Sequence, residues 1–212
     1  MLSALMIAAT LTGTPPGVTP PDILAVAIAH FQTIKSYRVT IHSLHDDDEE
    51  HLRYYYKKPG FVRMEFSRPH SGAVLVYNPD TQRVRLWPFG AGRFPELNLS
   101  PGNLLIRSSR GQQVDRSDVG ALLENVRSLQ QNGTNEVSGA EMIGDRTVMH
   151  LIVTGATGTE IAGVHRYELW LDTSNWFPAK VISRDLRDVI IETVKMDELE
   201  VDVELPETLF NP

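Results

Sequence analysis

The run His45-Asp46-Asp47-Asp48-Glu49-Glu50-His51 holds the densest set of metal-ligating residue types in the chain. Five carboxylates between two imidazoles would suit a hard cation or, through the histidines, a transition metal. Calcium loops space their ligands around a glycine that makes the sharp bend, and this run has none. Acidic residues also suit the exposed tip of a β-hairpin, where they discourage edge pairing, and the run is assigned there. His30, His42, His70, His150 and His165 are scattered, with no spacing such as HExxH. Ser71 has Pro69 and Ala73 where a nucleophile elbow needs its two glycines. Residues 155–163, GATGTEIAG, lead from one strand pattern into another, whereas a phosphate-binding glycine loop feeds a helix N-terminus. No catalytic residue, metal site or cofactor is therefore expected, and the chain reads as a non-enzymatic protein.

The elements around these residues are mostly strands. Pro20-Pro21-Asp22 opens a helix running to about residue 36, with Ile23, Val26, Ala27, Ile28, Phe31 and Ile34 as its apolar face. Period-two alternation then covers 37–44, 52–57 and 61–66, broken at Pro59-Gly60. A further pair, 73–77 and 82–87, is joined by Asn78-Pro79-Asp80-Thr81, which is good turn chemistry. Residues 89–111, rich in Gly, Pro, Asn and Ser, read as an irregular excursion. Ser117-Asp118 caps a second helix to about residue 131, ended by Gly133. Strands resume at 135–142, 147–154, 165–172, 179–185 and 189–203, and the stretch 167–184 reads as a hairpin turning around Asn175 and Pro178. The fold class is mainly β (α+β). We expect a strongly curved antiparallel sheet forming a half-open β-barrel of about ten or eleven strands, with two main helices covering its concave face.

Composition narrows the functional classes. A chain of 212 residues that is 42% hydrophobic and 22% charged can bury a substantial core as one domain. A net charge of −7, without a basic cluster interleaved with aromatics, argues against a nucleic-acid partner. The absence of cysteine excludes disulfides, thiolate nucleophiles and a lipid-modified N-terminal cysteine. Residues 2–11, LSALMIAATL, have the length of a secretory apolar region and are too short to span a bilayer. No Lys or Arg precedes Lys35, so the basic region of a typical export signal is missing. Residues 1–19 read as a signal-peptide remnant or a disordered tail, and residues 20–212 as a single domain. The location expected is periplasmic or otherwise exported.

A curled sheet beneath helices encloses an apolar space, and such spaces take greasy ligands. Alternation places Val39, Ile41, Tyr54, Tyr56, Val62, Met64, Phe66 and Leu169 on one face of the sheet, and Leu122 on the apolar side of the second helix. These nine are the candidate cavity lining. The junction at Tyr37 and the helix after Ser117 are the expected moving parts.

The order of helix, KPGFVRMEFSRP, AVLVYNPDTQRVRLWP, long loop and helix, then YELWLDTSNWFPAKVISRD and a final VDVELPETLFNP, resembles the LolA/LolB-like superfamily of periplasmic carriers. The resemblance covers most of residues 20–212 as a pattern of individually degenerate motifs. It implies an incompletely closed barrel that holds lipid or lipoprotein acyl chains, acting as a monomer with a membrane or protein delivery partner. It also implies a lid contact. Arg63 stands nearest the position at which the lipoprotein carrier uses a strand arginine to bind lid-helix carbonyls, although alternation turns Arg63 outward. Some relatives in the superfamily are periplasmic sensors, so a protein-interaction module of the same fold is the alternative.

Overall fold

The computed structural model describes residues 22–108 and 111–212. The expected export segment and Pro20-Pro21 lie outside the described residues. Helix α1 (Ile23–Thr33) leads into a meander of β1 (Ser36–His45), β2 (Asp48–Lys57), β3 (Phe61–Arg68), β4 (Val74–Asn78), β5 (Arg83–Trp87) and β6 (Leu97–Leu99). After two single 3₁₀ turns (Leu104–Ile106 and Val114–Arg116) comes α2 (Val119–Gln130). A second meander follows: β7 (Thr134–Ile143), β8 (Arg146–Thr154), β9 (Arg166–Asp172), β10 (Pro178–Arg184) and β11 (Ile190–Val201), closed by the short α3 (Glu207–Phe210).

All eleven strands form one antiparallel sheet in the order β6-β5-β4-β3-β2-β1-β11-β10-β9-β8-β7. The first meander grows outward from β1 and the second grows back toward β11. The two meet at the centre, where Tyr37 lies opposite Val201 and Leu44 opposite Thr193. Register shifts interrupt five of the strand pairings, at β1/β11, β2/β3, β7/β8, β9/β10 and β10/β11. Shifts of this kind bend strands and increase twist. The sheet therefore curls, but β6 and β7 do not pair, and the barrel stays half open.

That topology explains why the long middle connection crosses the concave side. It must carry the chain from one sheet edge, β6, to the other, β7, and α2 lies along the way. Asp118 caps α2 by accepting from the amides of Gly120 (2.7 Å) and Ala121 (3.3 Å). Asp22 caps α1 through the Ala25 amide at 3.2 Å. Its other oxygen accepts from Arg127 of α2 at 2.6 Å, which ties the two helices together.

Beneath them the concave face is filled by rings. Tyr37 lies 5.1 Å from both Tyr56 and Phe177, and 5.9 Å from Tyr54. The Tyr37 hydroxyl accepts from the Val119 amide at 3.3 Å, and the Tyr54 hydroxyl is 3.0 Å from Ser117 Oγ. Two sheet tyrosines thus hold the start of α2.

A smaller core lies on the convex face, where Leu205 and Phe210 cover Val74, Val76 and Trp87. Arg63 belongs to this side, as alternation indicates. It is buried, donates to Glu65 Oε1 (2.7 Å), and donates to the Leu209 carbonyl at 2.7 Å. The lid contact drawn from the resemblance is corrected accordingly: Arg63 does bind a helix carbonyl, but that of α3 outside the barrel. Arg63→Ala should lower stability by about 2 kcal/mol by leaving the part-buried Leu209 carbonyl without its donor and Glu65 without its guanidinium partner. Hydrogen exchange should accelerate at residues 205–212 while ligand affinity in the cavity stays unchanged. Altered affinity would return Arg63 to a lid role.

Candidate functional site

The part of the concave face not filled by the ring cluster is open. A cavity of about 1060 Å³ lies between α2 with its preceding turns and the strands on either side of the β1–β11 seam. Pockets for small ligands span about 300–1,000 Å³, so this space is at or above the upper end. Five of the candidate residues border it: Ile41 from β1, Tyr54 from β2, Met64 and Phe66 from β3, and Leu122 from α2. The same face of neighbouring strands adds Leu52, Leu75, Leu86, Val181, Val194 and Met196. Period two marks these as readily as the residues picked from sequence.

Val39, Tyr56, Val62 and Leu169 are placed elsewhere. They do not border the cavity but lie in the main core, 1%, 7%, 2% and 0% exposed. They share the concave face but belong to the main apolar cluster that also takes in residues of α1 and α2 and Phe177. Their assignment as lining is corrected to packed core.

One end of the cavity is polar, which the sequence reading missed. Ser43, Glu50, Ser183 and Glu192 border it there. Ser43 Oγ donates to Glu192 Oε1 at 2.7 Å. Burial, reinforced by the charge of Glu192, raises the Glu50 carboxyl above the ordinary glutamate range. Asp118 at the mouth of α2 is raised as well, by burial. Burial, with the Asp118 charge adding, pushes Tyr56 up to about 12.

The Glu50 shift has a sign that can be tested. A carboxyl whose pKa is raised on folding binds its proton more tightly in the native state, so stability falls as pH rises from the ordinary glutamate value through the raised one. Glu50→Gln should therefore unfold a few degrees higher than the parent at pH 7 to 8, with the difference vanishing below about pH 4. Thermal melts across that range check it, and an equal gain at all pH values would contradict the assignment.

The acidic run forms the β1–β2 hairpin and its tip, with Asp46 at φ 51°. His45 donates through Nδ1 to the Ile191 carbonyl at 2.6 Å, while His51 is 2.9 Å from Glu49, which also pairs with Arg68. The two histidines thus serve different neighbours. Among the described residues no cluster of His, Asp and Glu is arranged to hold a metal ion. None of the described helices is long and apolar enough to cross a membrane.

No protein-family model and no curated protein matches this sequence. Solved structures do match in fold. An uncharacterized conserved protein from Thermus thermophilus aligns with a TM-score of 0.56 at 13% identity, over 90% of this chain and 91% of that one. The lipoprotein LppX of Mycobacterium tuberculosis aligns at 0.52 and 10% identity, over 89% of this chain and all of that one. MucB in its complex with MucA from Pseudomonas aeruginosa aligns at 0.52 and 14% identity, over 87% of this chain and 60% of that one. The fold they share with this chain is a half-open antiparallel barrel with helices on its concave side.

Proposed function

We propose that this chain is a non-enzymatic, exported carrier or binding protein that shelters the acyl chain of a lipid or lipoprotein in the cavity beneath α2. The observation that carries the reading is the cavity itself: a space of about 1060 Å³ floored by apolar side chains of both meanders. An acyl chain entering it leaves water at about 0.8 kcal/mol per buried methylene, and no bond need be made or broken. Movement of α2 admits the chain, and the hydrogen bonds that tie its start to the sheet come from the hydroxyls of Tyr37 and Tyr54. The fold shared with the lipoprotein LppX supports the reading. So does the LolA/LolB-like pattern in the sequence. The protein acts as a monomer and hands its cargo to a membrane or a protein partner. Titration of the delipidated protein with a fluorescent fatty-acid probe tests this. Saturable binding of one probe, displaced by phospholipid, is expected, and the absence of saturable binding would overturn it.

A second reading is favoured by β7. This ten-residue edge strand is exposed along nearly its whole length and has a free side. Such an edge can accept an extended polypeptide by strand addition. The fold is also shared with MucB, solved in complex with MucA. In that reading the chain is a sensor or interaction module without a transport role.

A further inference from the structure

The four most exposed large apolar side chains among the described residues all lie in the connection between β5 and α2. Phe94 is 93% exposed, Leu104 80%, Leu105 69% and Phe89 64%. This segment is held in place. Strand β6 pairs with β5, and Asn103 Oδ1 accepts from the Leu105 amide at 3.0 Å. Ile106 on the same 3₁₀ turn is buried in the main core, so the turn is pinned from inside while its two leucines face solvent.

The charge around them is also distinctive. Within residues 88–108 of a chain whose net charge is −7, the one carboxylate, Glu96, is taken up by Arg85 at 2.7 Å. Arg93 and Arg107 are both exposed. Their side chains donate to backbone carbonyls, of Phe89 (3.4 Å) and Gly102 (3.2 Å), and among the described residues neither has an ion-pair partner. Guanidinium groups without a carboxylate partner among the described residues, beside protruding Phe and Leu, suit an interface that offers phosphate at one depth and hydrocarbon just below it.

We infer that the β5–α2 connection docks this protein on a phospholipid bilayer, burying Phe89, Phe94, Leu104 and Leu105 in the interface with Arg93 and Arg107 against lipid phosphates. Phe89, Leu105 and Arg107 also border the cavity, so docking sets its mouth on the membrane. The acidic hairpin residues Asp47, Asp48 and Glu49 stand on the cavity's rim as well. Repulsion between them and an anionic surface would tilt the molecule toward its arginine side.

The inference goes beyond the carrier reading, and its primary test, vesicle flotation, needs no cavity ligand. The full chain is floated with vesicles of phosphatidylcholine, alone or mixed with phosphatidylglycerol. The parent should float with the mixed vesicles. Phe94→Ser/Leu104→Ser should float at least about tenfold less, yet bind the fatty-acid probe as before, because neither residue borders the cavity. Arg93→Gln/Arg107→Gln should lose binding mainly to the anionic vesicles. Val137→Ser/Met142→Ser, which removes exposed apolar groups on the far edge strand, should match the parent. Phe94→Trp provides a second readout, a blue shift of its emission on adding vesicles. Lack of flotation by the parent, or equal losses in the far-edge variant, would overturn the inference and leave the loop to a polypeptide partner.

Discussion

Met64→Glu weakens binding of a fluorescent fatty-acid probe by at least about tenfold, roughly 1.4 kcal/mol, while the circular-dichroism spectrum stays that of the parent. Met64 lies in register between Tyr54 of β2 and Leu75 of β4, and all three border the cavity. A carboxylate there keeps its hydration only by holding water where the chain should lie, or it gives up its charge at a cost. Losing contact with two methylenes already accounts for the expected change. The fold tolerates the substitution because Met64 is only half-buried and faces open space. Val39→Glu on the same face makes the contrast, since Val39 is 1% exposed in packed core and its replacement should unfold the protein. Unchanged probe affinity in folded Met64→Glu would count against the cavity as the binding site.

Gly133→Ala should cost about 3 kcal/mol in denaturant unfolding, far more than a methyl group normally does at a helix end. A Cβ at this position would stand 2.0 Å from the Thr154 carbonyl oxygen and 2.7 Å from that of Leu129. Both obstacles are backbone, one from the end of β8 and one from α2 itself, so no side chain can swing away. The close approach follows from topology. The chain leaves α2 and within a few residues must pair Thr134 with Thr154 to start the edge hairpin. Separating α2 from β8 to fit the methyl group would also loosen the cover of the cavity, so faster probe dissociation should accompany the lost stability. Parent-like stability would mean that this junction has slack the geometry does not show.

The local part of this architecture was legible in the sequence. Asp22 and Ser117-Asp118 marked the helix starts, and alternation placed nearly every strand to within a few residues. Strand β6 was missed because three residues among Pro, Gly and Asn show no period. Helix α3 was missed because a single turn after Pro206 leaves no helical stripe. The pairing of β1 with β11 joins segments some 160 residues apart, and no local pattern encodes such a partner.

For the site, alternation reported which face a residue occupies but not what covers that face. Val39 and Ile41 have the same pattern and the same orientation. The first lies under the ring cluster and the second under open space, because α1, α2 and Phe177 cover only part of the concave surface. Where they come to rest depends on the path of the β6-to-β7 connection, a global property of the chain. The polar end formed by Ser43, Glu50, Ser183 and Glu192 escaped notice for a related reason. Its members come from four different strands and meet only when the two meanders join.

The most direct test of the central claim is native mass spectrometry of the full-length protein purified gently from the cells that make it. A cavity built to shelter acyl chains predicts a population heavier than the polypeptide by the mass of one lipid or acylated molecule, lost on delipidation and depleted in Met64→Glu. A bare polypeptide mass in every preparation, or one raised only by a bound protein, would contradict the account.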